Sequence, residues 1–497
     1  MTTSAPPVPV QAAEGVPYPQ QLHRTMGRFA SFAAGFSFIS VLTTVFQLFS
    51  FGYGFAGPAF VWSWPLVLGG QLLVAACFAE LAARYPISGA IYQWASRLAS
   101  PGYGWFTGWL MVLGQVVVVA AAALALQVVL PALWSGFQLV GGDPALTAPS
   151  GAANAVLLGG ALIAFTTLVN VLDNRVLSAV NGVGVAAELA GIVLIAVLLF
   201  TRAERSPAVV ADTGHTGGSG GYLWVFLVGS FTAAYVLIGF DSAGELSEET
   251  RAPRRTAPRT ILLALTAAGV GGGLLLLGGL LAAPSLTDGR LATEGLSYVL
   301  TGALGDGLGR VLLADVAVAV CVGTLAMQTA GARMVFSMAR DGALPGSRIL
   351  AAVSPRTGMP GPAALLVGVL AAAFLLLNLA APAAFVALVV GALLVRRLRG
   401  LPIGPDDAPT ADEQGRPLFS LGRWALPVNA LALLYGVAMT VNLAWPRAAV
   451  YDPQGGHWYL RWFTVLVLAA ALAAGALYRT AVARRERRTT AVLPSAA

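Results

Sequence analysis

Phe36-Ser-Phe-Ile-Ser-Val-Leu-Thr-Thr-Val-Phe46 lies in the middle of one apolar run, and Gly229-Ser-Phe-Thr-Ala-Ala-Tyr-Val-Leu-Ile-Gly-Phe-Asp241 in the middle of another. Both place small polar residues where a helix crossing hydrocarbon would carry apolar ones. Serine and threonine can bond back to their own helix, so either stretch alone reads equally well as ordinary helix packing. As a pair they say more. A helix in lipid must satisfy its own backbone, so it is broken only where it lines a cavity or a site. Two interrupted segments at matching places in two halves of a chain point to the central site of a transporter. The first stretch runs on into Phe51-Gly-Tyr-Gly-Phe-Ala-Gly-Pro58, and the second begins five spans later.

Outward from these stretches the chain reads as twelve apolar spans, at residues 30–55, 60–83, 105–130, 154–172, 178–200, 223–247, 261–282, 311–338, 362–378, 381–395, 428–445 and 458–478. Asn378 and Pro382 mark a turn within the nearly unbroken apolar run from Ala363 to Val395. Of the 497 residues 57% are hydrophobic and 10% charged, with a mean hydropathy of +0.77. A soluble domain carries about 25% charged residues, and a span needs about 20 apolar ones. A large soluble enzyme, a disordered scaffold and a coiled coil are excluded together. There is no lysine, so all 29 basic side chains are arginines, most of them in short loops. The net charge of +7 therefore reflects topology and not nucleic acid. With a cytoplasmic N-terminus, 22 arginines lie inside and 6 outside, with Arg333 embedded. The positive-inside rule then places both termini in the cytoplasm. Cys77 and Cys321 sit inside apolar stretches and imply no disulfide framework. His23, His215 and His457 lie outside the spans, and no metal site is expected. Residues 1–28 read as a disordered cytoplasmic tail without the pattern of a cleaved signal peptide, and residues 480–497 as an Arg-rich cytoplasmic tail.

Three loop motifs carry a resemblance. They are Ala79-Glu-Leu-Ala-Ala-Arg-Tyr-Pro-Ile-Ser-Gly89, Gly239-Phe-Asp-Ser-Ala-Gly-Glu-Leu-Ser-Glu-Glu-Thr-Arg-Ala-Pro-Arg-Arg-Thr-Ala-Pro258 and Ala339-Arg-Asp-Gly-Ala-Leu-Pro345. From about Arg28 to the end of span twelve the chain resembles the amino acid–polyamine–organocation (APC) superfamily of permeases, most of all its amino acid/choline transporter branch. The resemblance implies an all-α polytopic membrane protein with a LeuT-like core. That core is two inverted five-helix repeats (29–200 and 222–399) with helices one and six broken, joined by two peripheral helices (424–479). It implies that the backbone around Thr43, Thr44 and Val45 receives a substrate carboxylate at an exposed helix N-terminus. The amino group or side chain then faces the break of span six, from Val236 through Ile238 and Gly239 to Asp241. Tyr235 matches an aromatic gate position, and Met327 on span eight faces the same cavity; both also read as packing residues. The chain departs from the family in two places: Thr43-Thr44-Val45 stands where a glycine is common, and span ten is short.

The embedded charges complete the reading, since an ionisable group at mid-bilayer costs roughly 2.5–3.5 kcal/mol and needs a partner or a purpose. Glu80 and Arg84 read as an ion pair. Glu245, Glu248 and Glu249 read as a cytoplasmic network with Arg251, Arg254 and Arg255, or as a solvated face. Asp315 is near the outer end of span eight, within reach of water, and Arg333 is expected to pair with a carboxylate. Glu188 has no basic neighbour in sequence. Desolvation disfavours the charged form of a buried carboxylate, which suits Glu188 to carry a proton or to bind a sodium ion. A neutral acid bonded to a helix carbonyl is the alternative. The resemblance implies a further role: in some relatives a lysine on span five contacts the broken first helix and serves proton coupling, and Glu188 aligns with that place in a chain without lysine. The expected function is secondary active transport of a small amino acid or amine across the plasma membrane by alternating access, without a cofactor beyond a coupling proton or sodium. The expected partners are the substrate and the bilayer, with no nucleic acid; the oligomeric state stays open. Two rivals remain: a choline or polyamine carrier, for which Phe46, Tyr235, Phe240 and Asp241 can build a cation cage, and a non-transporting membrane sensor or structural subunit. Enzymatic activity is not expected.

Overall fold

The computed structural model describes residues 22, 24–146, 148–172, 174–214, 221–377, 384–401, 403, 410–412, 414–452 and 455–492. Their regular structure is helical. The chain opens with α1 (Arg28–Ile39), α2 (Val41–Ala56), α3 (Ser63–Arg84), α4 (Ala90–Leu98) and α5 (Pro101–Leu133). It continues with α6 (Pro149–Leu172), α7 (Asn174–Thr201), α8 (Tyr222–Val236), α9 (Ser242–Glu245) and α10 (Pro253–Ala282). The short α11 (Gly289–Thr293) and α12 (Leu296–Leu304) lead into α13 (Asp306–Arg340), the longest helix. After α14 (Ser347–Leu350) come α15 (Gly361–Leu377), α16 (Ala384–Leu398) and α17 (Ala425–Ala444). The short α18 (Ala448–Tyr451) and α19 (Trp458–Arg461) precede α20 (Phe463–Val492). The turn expected at Asn378 and Pro382 lies outside the described residues.

Among the described residues nine helices, counting α1 and α2 as one, are long and apolar enough to cross a membrane. Two more, Tyr222–Val236 and Gly361–Leu375, are shorter and apolar. Burial grades them. Of its most apolar stretch, 83% is buried for residues 28–56, against 22% for 422–444 and 6% for 463–482. The first pair is the centre of the bundle and the last two helices are its edge. Exposed apolar side chains on the edge helices, such as Leu434 and Leu477, suit a lipid solvent.

Local signals set several boundaries. Ser100 caps α5, its hydroxyl accepting from the Tyr103 N–H at 3.2 Å, with Pro101 in the first turn, where a missing N–H costs nothing. The central helix breaks at Ser40, which adopts left-handed backbone (φ 42°). A non-glycine residue there is strained by about 1–2 kcal/mol, and its neighbours hold it in place. The Ser40 N–H donates to the Phe36 carbonyl at 2.9 Å, its carbonyl accepts from the Thr44 N–H at 3.0 Å, and its hydroxyl donates to Thr43 Oγ1 at 2.6 Å.

Candidate site at the broken helices

The break of span one falls at Ser40, three residues before the position expected. That changes what Thr43, Thr44 and Val45 can do. All three are buried in the first turns of α2. The Thr44 N–H is committed to the Ser40 carbonyl, and the Thr44 hydroxyl donates to the same oxygen at 2.9 Å. The Leu42 N–H, exposed by the break, donates to Glu188 Oε1 at 3.2 Å. So a carboxylate does sit at this helix N-terminus, as the positive end of a helix favours, but it is the protein's own. Glu188 is buried on α7, and its Oε2 has no partner.

Span six is interrupted between Val236, which ends α8, and Ser242, which starts α9. Gly239 makes this possible. Its φ of +90° lies in the region that favours glycine, and a Cβ there would stand 1.9 Å from a ring carbon of Phe38. The two breaks therefore touch, α1 laying Phe38 on the backbone of Gly239. Beside them is a small cleft lined by Phe38, Ile238, Gly239 and Asp241, and by Met111 and Gln115 of α5. Asp241 Oδ2 and Gln115 Oε1 are buried and have no partner. Gln115 Nε2 donates to Glu245 Oε1 at 3.4 Å, and Glu245 Oε2 also lacks a partner.

Of the other residues singled out in the sequence, Val236 is fully buried at the end of α8, and Tyr235 beside it has a buried hydroxyl without a partner. Met327 is buried in the apolar core and does not line the cleft. The wall at that point is α5, whose Met111 and Gln115 the sequence reading passed over. Gln115 was legible as a lone amide among the valines of residues 112–119.

The acidic run after Asp241 is no solvated face, and its partners differ from those expected. Glu249 pairs with Arg333 inside the protein, Nε to Oε1 at 2.8 Å and Nη2 to Oε2 at 3.2 Å. Glu248 takes a two-pronged bond from Arg340, at 2.9 and 3.0 Å, and accepts the Ser88 N–H at 3.0 Å. Arg255 instead pairs with Asp412, and Arg254 donates to the carbonyls of Ala83 and Arg84. The short 3-10 turn at Ser247–Glu249 turns both carboxylates inward, toward α13 and away from the arginines next in sequence. The segment before α1 joins the same network: the Met26 N–H donates to the Glu249 carbonyl and the Arg251 N–H to the Met26 carbonyl, each at 2.9 Å. Glu80 bonds Arg84 at 3.4 Å and also meets Arg397.

The sequence profile of the family described as "Amino acid permease" matches residues 26–470. The amino-acid permease BAT1 of Arabidopsis thaliana is 27% identical over 457 residues, 87% of each chain. An uncharacterized amino-acid permease of Schizosaccharomyces pombe is 24% identical over 88% of this chain and 82% of its own. The thiamine transporter thi9 of the same yeast is 26% identical over 86% and 78%. With this match across most of its length, the chain belongs to the amino acid permease family and is a multi-pass membrane protein.

Proposed function

We propose that the protein carries an amino acid or related amine across the plasma membrane by alternating access, with both termini cytoplasmic. The reading takes twelve spans, the first ten forming two inverted five-helix repeats with breaks at Ser40 and at Leu237–Asp241. One observation supports it above the others: the two interrupted helices meet at a small cleft where Asp241 Oδ2 and Gln115 Oε1 are buried without partners. A purely structural subunit has no use for buried, unsatisfied oxygens, each costing about 1–3 kcal/mol, whereas a substrate supplies what they lack. In this reading the pairs Glu249–Arg333 and Glu248–Arg340 hold the cytoplasmic end shut, and the cleft opens inward when they part. Glu188 couples the cycle to a proton or a sodium ion, because it touches the backbone at the break itself.

The test is uptake of radiolabelled amino acids, 4-aminobutyrate, choline and putrescine into proteoliposomes, under imposed pH and sodium gradients. Time-dependent, saturable accumulation of one of these is expected. If none accumulates or exchanges under any gradient, the chain does not carry this class of substrate.

A further inference from the structure

Asp241 and Glu245 stand one helical turn apart, the Glu245 N–H donating to the Asp241 carbonyl at 3.2 Å. Both side chains are buried, with relative exposures of 4% and 0%. The two arginines that reach the acidic run from α13 pair with its other carboxylates, Arg333 with Glu249 and Arg340 with Glu248. Two carboxylates so close in a medium of low dielectric repel each other unless a cation or a proton joins them. Gln115 is the independent sign that something binds here. It is 2% exposed and lines the cleft with Asp241. Because its Nε2 is committed to Glu245, the atom left over is the carbonyl oxygen Oε1, an acceptor with nothing to accept. The unpartnered atoms of this cluster are thus all acceptors: Asp241 Oδ2, Gln115 Oε1 and Glu245 Oε2. An ammonium group offers three donors and no acceptor. Phe38 adds an aromatic wall, which favours a cation over a neutral group. The anion side points the same way, since the Leu42 N–H that would greet a substrate carboxylate already holds Glu188.

We propose that Asp241 and Gln115, with Glu245 behind them as positioning residue and second charge, receive the ammonium group of a substrate carrying net positive charge. The protein would then prefer basic amines to neutral, zwitterionic amino acids. This rests on the transport reading above and narrows its substrate class.

The experiment is equilibrium binding of tritiated putrescine, arginine, choline and leucine to the purified full-length chain in detergent. Putrescine and arginine should bind at least about tenfold more tightly than leucine, and choline, which has no N–H, more weakly than putrescine. Glu245→Gln, which keeps the shape and a hydrogen bond but removes a charge, should weaken putrescine about thirtyfold, equivalent to about 2 kcal/mol at 1.4 kcal/mol per decade. Glu245→Asp should recover part of that loss. Leucine binding as tight as putrescine would overturn the inference and leave the transport reading intact, a result the unmutated protein delivers even if the variants fail to fold. Displacement of putrescine by sodium chloride, but not by choline chloride, with the effect lost in Glu245→Gln, would also overturn it by assigning the cluster to a metal cation. If no probe binds, this inference fails, and the proteoliposome uptake assay decides the transport reading separately.

Discussion

Replacing Arg333 by Met tests whether the pair with Glu249 carries the stability of the region where the acidic run meets α13. Both side chains are buried, at 0% and 1% exposure, so removal of the guanidinium strands a carboxylate away from water. Breaking such a pair from one side costs about 3–5 kcal/mol. The structure argues for the lower figure. Arg333 Nη1 has no partner in the folded state, so the native pair is itself incompletely satisfied, and its loss forfeits the two bonds to Glu249 and a weak one from Nη2 to Met359 Sδ at 3.5 Å. A cost of about 3 kcal/mol is therefore expected for Arg333→Met, and a similar one for Glu249→Leu. The double variant should cost much less than either, since exchanging a buried ion pair for apolar residues of like volume is often neutral. A thermal or denaturant unfolding series in detergent, arranged as a double-mutant cycle, reads the coupling directly. Losses that simply add would refute the reasoning, because they would mean that neither charge depends on the other.

Three further outcomes are expected. Gly89→Ala should destabilise the protein by about 2–4 kcal/mol in the same unfolding assay, since Gly89 has φ +80° and an added Cβ would stand 2.4 Å from Ser337 Cβ and Oγ; an unchanged midpoint would show that the turn can yield. Glu188→Gln can still accept the Leu42 N–H but has no charge, so substrate exchange should persist while accumulation driven by pH or sodium is lost. Accumulation equal to that of the parent under both gradients would make Glu188 structural. In a background without Cys77 and Cys321, Gly455→Cys should react with an impermeant thiol reagent from outside intact cells and Ser347→Cys should not. The reverse labelling would invert the proposed topology.

The interruption of span six was legible because its cause is local: Gly239 supplies a backbone conformation that few other residues accept. The interruption of span one was legible only to within a turn. Ser37, Ser40, Thr43 and Thr44 all offer hydroxyls that compete with the helix, and sequence alone gives no reason to choose among them. What distinguishes Ser40 comes from elsewhere in the chain, namely the Glu188 carboxylate that satisfies Leu42 across 146 positions. The ion pairs failed to read for the same reason. Arg251, Arg254 and Arg255 are close to Glu248 and Glu249 in sequence, yet the carboxylates turn to Arg340 and Arg333, 92 and 84 positions away. Proximity along a chain is a sound guide within one helix and a poor one where the chain leaves a helix.

The three loop motifs that betray the family meet in space. The Ser88 N–H of the first motif reaches Glu248 of the second, while Ser337, two residues before the third, donates its hydroxyl to the Ser88 carbonyl at 2.7 Å. Tyr92 and Gln93, just after the first, both donate to Asp341 Oδ2 of the third, at 2.8 and 3.1 Å. Arg340 of the third closes the ring on Glu248. What the motifs specify is thus a connected polar network, which in the proposed cycle is the lock at the inner end. The cleft draws on different residues: Phe38, Met111, Gln115 and Ile238 all fall outside the motifs, and only Gly239 and Asp241 belong to one. In the proposed cycle a chain can keep this network and change what it carries by altering a few side chains on α5 and at the two breaks. The family match therefore leaves the substrate to be argued from the cleft, from Gln115, which no motif contains, together with Asp241 and Glu245, which the second motif supplies.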